Sequence, residues 1–123
     1  MFENIHELAA MIVEGEVSGF TVTSSLTPVT QGFSVGGNHE CAELRLANVQ
    51  QMPAALVEET LDFYTRTARM YGQAIVGGWV HEGDLYLDAP TIYVDGDEAE
   101  RVARERGELA YFDLYSLTEH FVG

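Results

Sequence analysis

The chain has 123 residues, enough for one domain with its own core, and 46% of them are hydrophobic. The chain contains twenty acidic residues, six arginines and no lysine, which gives a formal net charge of −14. Because nucleic acids and anionic membranes attract positive charge, this balance argues against direct binding to either and favours a basic protein partner. The single cysteine excludes an intrachain disulfide, the N-terminus lacks the basic region of a signal peptide, and no apolar run is long enough to cross a membrane. We therefore expect a cytoplasmic protein.

Two helices are predicted in the first part of the chain. Apolar residues at helical spacing follow Asn4, whose side chain and Glu7 have the spacing of a capping box, and they predict a helix over residues 5–14. A longer helix is predicted from Pro53 to a stop at Gly72. Its inward face should carry Val57, Leu61, Tyr64, Ala68 and Tyr71.

Alternating and β-branched segments predict the strands. In the first half these are residues 19–25, 33–35 and 44–46, with a loop over 26–31. In the second half they are residues 74–80, 85–87, 91–94 and 110–114. Gly77 and Gly78 lie inside one of them and indicate a bulge or a close backbone approach, and residues 81–84 form its turn.

The last helix and the fold class complete the prediction. Asp95 should cap an acidic helix over residues 97–106 that ends at Gly107, and its apolar stripe should be only Ala99, Val102 and Ala103. Two pairs, Asp97–Arg101 and Glu100–Arg104, have the i,i+4 spacing of helical ion pairs, and residues 117–122 should form a terminal turn or short helix. We predict one α+β domain over residues 1–123, with a mainly antiparallel sheet covered by two to three helices.

An acidic and aromatic surface is the candidate binding site. Carboxylates are dense after residue 81, and tyrosines lie among them, as on many protein-binding surfaces. The acids are either an ordinary solvated face or an imitation of the phosphate backbone that would occupy a basic site on another protein, although three arginines interrupt the run. The candidate partner-binding residues are Glu82, Asp84, Asp88, Asp97, Glu98, Glu100, Glu105, Glu108, Tyr86 and Tyr93.

No complete catalytic, cofactor or metal site is predicted. His39-Glu40-Cys41 is the one cluster of chemically active residue types, but two ligands do not make a structural zinc site and i,i+2 strand neighbours rarely reach hydrogen-bond distance. The glycines of residues 32–37 lack the lysine of a phosphate loop. The acids of residues 95–98 are better explained by helix capping than by a calcium loop.

From Thr27 onward the chain contains several short motifs. They are Pro-x-Thr-x-Gly-Phe-x-Val at residues 28–35, Gly-Gly-Trp-Val at 77–80, Tyr-Leu-Asp at 86–88, Asp-x-x-x-Ala at 95–99 and Ala-x-Phe-Asp-Leu at 110–114. In these motifs the chain resembles small uncharacterised proteins of actinobacterial phages and mobile elements. The chain departs from the group at Glu108, where glutamine is common. The resemblance implies that the protein belongs to a phage or mobile element, but it implies no mechanism. The acidic charge and the Gly-x-Trp sequence in a predicted strand also resemble features of acidic antirestriction proteins.

These observations lead to one main hypothesis and two alternatives. The main hypothesis is a non-enzymatic accessory protein of a phage or mobile element that binds a host or phage protein through its acidic and aromatic surface. It would act as an inhibitor or as a nucleic-acid mimic. The alternatives are a small enzyme that uses His39, Glu40 and Cys41, and a self-assembling structural protein, for which homo-oligomers are expected.

Overall fold

The computed structural model describes residues 3–37 and 41–122 and has the α+β architecture that the sequence predicts. These residues form three α-helices, one short 3-10 helix and eight strands. The strands pair antiparallel throughout, but they divide into two four-stranded sheets instead of one. This division creates a space between two sheets that the sequence pattern did not predict.

The helices begin and end where the capping signals place them. They span Ile5–Val13 (α1), Ala54–Met70 (α2) and Gly96–Glu105 (α3), with the 3-10 helix at Val49–Gln51. The side chain of Asn4 accepts a hydrogen bond from the Glu7 amide at 2.8 Å, and that of Asp95 accepts one from the Asp97 amide at 3.0 Å. These contacts satisfy amides that the helices leave without an intrahelical partner. Tyr71, expected on the inward face of α2, instead follows the end of the helix and is 59% exposed.

The first sheet is covered on one face by α1 and α2. Its strands, in spatial order, are Gly19–Thr23 (β1), Ile75–His81 (β4), Asp84–Asp88 (β5) and Leu44–Leu46 (β3). Val76, Leu85 and Leu87 point from the sheet into the main hydrophobic core, where they join Leu8 and Ile12 of α1 and the inward residues of α2. Because side chains alternate along a strand, the residues between these apolar ones face the opposite side of the sheet.

Glycines allow close contacts within this sheet. Gly78 pairs with Phe20 on β1, and a Cβ atom on Gly78 would lie 2.2 Å from the ring of Phe20. This confirms the close approach predicted from the paired glycines. The turn between β4 and β5 contains Glu82 and Gly83 with φ of 51° and 85°, the left-handed values that a two-residue hairpin turn of type I′ requires.

The second sheet is covered on one face by α3. Its strands, in spatial order, are Thr91–Tyr93 (β6), Phe33–Val35 (β2), Ala110–Asp113 (β7) and Thr118–Phe121 (β8). A smaller core lies between this sheet and α3, and its buried members are Val35, Ala99, Val102, Ala103 and Val122. The narrow apolar stripe predicted for α3 is therefore confirmed.

Two local predictions in this half of the chain were wrong. Residues 118–121 form an edge strand instead of a turn or helix, because Leu117 adopts a left-handed φ of 58° and the chain folds back to pair with β7. On α3, Arg101 forms its ion pair with Glu105 at 2.8 Å, one turn after it, and not with Asp97, whose position in the first turn places it beside the Asp95 cap. The Glu100–Arg104 pair is present at 3.8 Å.

No helix within the described residues is both long and apolar enough to span a bilayer.

Candidate functional site: an acidic and aromatic cleft between the sheets

An open cleft of about 840 Å³ is lined by both sheets, largely on the sides that the helices do not cover, and extends past β1 to Met11 of α1. From the first sheet its lining includes Thr21, Trp79, Tyr86 and Asp88, which alternate with the core residues of their strands. From the second sheet it includes Ser34, Ala110, Phe112 and Glu119, which alternate with the residues that pack under α3. The volume lies within the range of roughly 300–1,000 Å³ that is typical of ligand sites.

Carboxylates gather at one part of the cleft wall. A Cβ atom on Gly36 would lie 2.8 Å from Glu108 Oε1 and 2.9 Å from Asp88 Oδ2, so both carboxylates approach the same backbone position. A Cβ atom on Gly77 would lie 2.7 Å from Asp88 Oδ1. The two glycines therefore leave the room that the Asp88 side chain occupies, and any other residue at either position would compete with it. Glu43 also lines the cleft.

Asp88 differs from an ordinary surface acid. Burial, followed by the negative charges of Glu43 and Glu108, raises the pKa of Asp88 from 3.8 to about 7. Within the described part of the chain, no side chain donates a hydrogen bond to its carboxylate and no arginine or histidine forms an ion pair with it. Near neutral pH this group can thus hold either a proton or a cation.

Asp84, on the same strand and the same face, has the opposite environment. Its Oδ2 atom accepts hydrogen bonds from the guanidinium of Arg45, and its Oδ1 atom accepts one from the Asn48 amide at 3.1 Å. The hydrogen bond from Arg45, followed by that from Asn48, lowers the pKa of Asp84. Because Asp84 is buried and already neutralised, we remove it from the candidate binding residues.

Aromatic side chains form the outer rim of the cleft beside these acids. Trp79 is 53% exposed, its ring stacks on His81 with centroids 4.6 Å apart, and its centroid lies 6.4 Å from that of Tyr86. The guanidinium of Arg45 lies over the ring of Tyr86, 5.5 Å from the ring centroid. The Tyr86 ring already contacts a guanidinium within the protein, and aromatic rings bind cations through their electron-rich faces.

The remaining predicted residues lie elsewhere and do not form one surface with the cleft. Four acids of α3 lie on the opposite side of the second sheet from the cleft: Asp97, Glu98, Glu100 and Glu105. Tyr93 packs against the small core beneath α3, and Glu82 lies in the exposed hairpin turn. Of the ten predicted partner-binding residues, only Tyr86, Asp88 and Glu108 line the cleft.

Of the His39-Glu40-Cys41 cluster, the structure describes only Cys41. His39 and Glu40 lie outside the described residues. Cys41 is buried in the main core, and its thiol lies 3.7 Å from the hydroxyl of Tyr64, which in turn donates a hydrogen bond to the Ala42 carbonyl at 2.9 Å. Burial raises the pKa of the Tyr64 hydroxyl, which therefore keeps its proton and serves as a structural hydrogen-bond donor. Across the described ranges, no group of three or more His, Cys, Asp or Glu side chains could hold a metal ion.

Sequence reasoning missed several members of the site. Glu43 and Gly36 lie far along the chain from Asp88. Glu43 adjoins it because β3 pairs with β5 in the first sheet, and Gly36 reaches it from the end of β2 in the second sheet. The one available signal was the Gly77-Gly78-Trp79 segment, in which the glycines indicated a close approach and the tryptophan is the only one in the chain. Comparison of the chain with protein-family models, with curated proteins and with solved structures found no match.

Proposed function

We propose that this chain is a non-enzymatic accessory protein of a phage or mobile element that binds a basic segment of a host or phage protein in the bacterial cytoplasm. A cationic side chain of that segment would enter the cleft between the sheets. The observation that carries the proposal is Asp88, a carboxylate beside two other acids in an aromatic-walled cleft, with no cation from the described residues to neutralise it. The phage setting rests on the resemblance of the short motifs.

The chemistry of the cleft matches a guanidinium or ammonium group. Asp88 and Glu108 supply adjacent carboxylate oxygens, and charge-assisted hydrogen bonds from arginine to carboxylates are among the stronger ones in proteins. Trp79 and Tyr86 supply ring faces on which a guanidinium can stack, as Arg45 does on Tyr86. An arginine side chain would thus find both its charge and its flat apolar surface matched.

The acidic face of α3 is the weaker candidate for the binding surface. Glu100 and Glu105 are already paired with Arg104 and Arg101, so two of its four acids are partly neutralised. If the natural partner uses its basic segment to bind nucleic acid, occupation of that segment by this protein would inhibit it. That outcome would make the chain an inhibitor, with the cleft carboxylates standing in for phosphates.

The proposal is tested by titrating ¹⁵N-labelled protein with an acetylated, amidated peptide that contains three arginines separated by glycines. We expect the largest chemical-shift changes at the Trp79 indole and at the Gly36 and Gly77 amides. Because only the ionised form of Asp88 attracts a cation, the affinity should rise about tenfold between pH 6 and pH 8. It should also weaken as salt is added.

Two variants with equal changes of net charge locate the site. At pH 8, where Asp88 is largely ionised, Asp88→Asn/Glu108→Gln removes two charges from the cleft, and Asp97→Asn/Glu98→Gln removes two from α3. We expect the first variant to lose at least tenfold in affinity and the second to bind within about twofold of the parent, since a truncated buried charge contact costs more than an exposed one. Equal loss in both variants, or shifts spread evenly over the acidic residues, would overturn the assignment to the cleft.

Capture from host lysate then identifies the partner. The parent protein and the cleft variant are used side by side, each at low and at high salt. A partner retained by the parent at low salt and lost by the variant supports the proposal, whereas a partner retained equally by both contradicts it.

A further inference from the structure

Helix α2 has two apolar faces, and the tertiary structure covers only one of them. Its inward face is buried in the main core. On its outer face, Leu56, Phe63 and Met70 recur every seven residues and are 44%, 55% and 86% exposed. Large exposed apolar side chains in a regular series are unusual on a monomer and mark a surface that another molecule covers.

The outer residues have the spacing of a coiled-coil seam. Thr60 and Thr67 lie between them, so that residues 56, 60, 63, 67 and 70 alternate at separations of four and three. The hydroxyls of Thr60 and Thr67 donate to the carbonyls of Leu56 and Phe63 at 3.0 and 2.8 Å, which satisfies them within the helix and leaves their methyl groups for packing. The seam runs about 21 Å along the helix axis, from 14 residues at 1.5 Å each.

We propose that this outer seam of α2 binds the same seam on a second copy of the chain, with the two helices antiparallel about a two-fold axis at Phe63. In that arrangement the two Phe63 rings meet at the axis, and Leu56 of each copy meets Met70 of the other. A two-fold axis requires such a self-complementary patch. The Leu56, Phe63 and Met70 spacing satisfies this condition because Phe63 lies midway between the outer two residues.

The charges beside the seam favour the same occupant. Glu59 and Arg66 are exposed on one flank, and the antiparallel register brings Glu59 of each copy to within one residue of Arg66 of the other along the helix axis. Arg66 is paired with Asp62 at 2.9 Å in the single chain, and both of these side chains are more than half exposed, so the guanidinium can be shared. The helix holds three acids and two arginines. The net charge of the helix is therefore close to zero, although that of the whole chain is −14, and two copies of the helix repel each other only weakly.

The expected dimer is weak, because a single helix pair is smaller than a standard interface of about 800 Å² per partner. We expect a dissociation constant on the order of 10 µM. Sedimentation equilibrium of the full chain between 5 and 500 µM should show a reversible change from monomer to dimer. A monomer throughout this range would overturn the proposal and leave the seam to a different protein.

Substitutions distinguish this interface from other ways of associating. Phe63→Glu should abolish the dimer, since two like charges would meet on the axis, whereas Leu109→Glu, the same kind of change at a 75% exposed apolar residue of the other half of the molecule, should not. Glu59→Arg and Arg66→Glu should each weaken the dimer at least fivefold, and the double variant should restore it. Circular dichroism confirms that each variant is folded. A folded Phe63→Glu protein that still dimerises, or a double variant that fails to recover, would overturn the proposal.

Discussion

At the scale of single residues, Asp84 and Asp88 demonstrate how position on one strand decides the role of a carboxylate. Both point to the same face of β5, with Tyr86 between them. Arg45 neutralises Asp84, whereas Asp88 faces two other acids. The first acid stabilises the junction of β3 and β5, and the second is the centre of the candidate site.

The raised pKa of Asp88 predicts how stability depends on pH. Between about pH 4 and pH 7, Asp88 keeps its proton in the folded chain and loses it in the unfolded chain. The free energy of unfolding therefore falls as pH rises through that range. A pKa of about 7 instead of 3.8 corresponds to roughly 4 kcal/mol. Asp88→Asn should therefore stabilise the protein by a few kcal/mol at pH 8 and have little effect at pH 4, as measured by urea denaturation at both values.

The matched control for this measurement is Glu82→Gln, which removes one charge from the exposed hairpin turn. Its unfolding free energy should follow that of the parent across the pH range. If the curves of Asp88→Asn and the parent run parallel from pH 4 to pH 8, the interior carboxylate does not control stability in the way described here.

At the scale of elements, the two cores are unequal. Among residues 3–37 and 41–122, the core beneath α1 and α2 contains thirteen buried residues, and the one beneath α3 contains five, three of which are on α3 itself. Docking of α3 depends on very little apolar area, together with the Asp95 cap and the pairs along its exposed side. Arg106 adds hydrogen bonds from its guanidinium to the Gly36 carbonyl at 3.0 Å and to the Thr91 hydroxyl at 3.1 Å, which join the end of α3 to β2 and β6.

A small core makes each of its side chains important. Val35→Ala removes two methyl groups from a fully buried position between β2 and α3 and should cost about 2 kcal/mol in the free energy of unfolding. Val94→Ala makes the same chemical change at a side chain that is 95% exposed and should change the free energy by less than about 0.5 kcal/mol. Chemical denaturation measures both. Equal effects would mean that the α3 half of the molecule is not held by this core.

At the scale of the whole molecule, the net charge of −14 acts on folding and on binding in opposite ways. Repulsion among carboxylates disfavours the compact state, and salt screens it. We therefore expect the melting temperature to rise by several degrees between 20 and 500 mM NaCl, measured by circular dichroism at a protein concentration too low for dimers. Binding of the arginine peptide should weaken over the same range. A melting temperature that falls with salt would indicate that attractive ion pairs, and not net repulsion, dominate the surface.

The local elements were predictable because their signals are contained in short segments. Asn4 and Asp95 cap their helices through amides two or three residues away, and the Glu82-Gly83 turn needs only its own two left-handed residues. Alternation and helical spacing also predicted which faces are buried, as at Val57 and Leu61 or Ala99 and Val102. Each of these features depends on neighbours in sequence, so a single sequence is sufficient to predict it.

Features that depend on distant parts of the chain were decided by the tertiary structure. Residues 118–121 become a strand only because β7 offers a free edge, and the strands form two sheets because β2 pairs with β6 and β7 instead of with β1 or β3. Pairing of β3 with β5 places Glu43 beside Asp88, and the separate second sheet brings Glu108 to the same cleft and moves the acids of α3 to its own far side. Composition alone determined that the protein is strongly acidic. Which of its carboxylates remain unneutralised depends on where Arg45, Arg101 and Arg104 lie in space, since charges act over distances of a few ångströms and not along the chain.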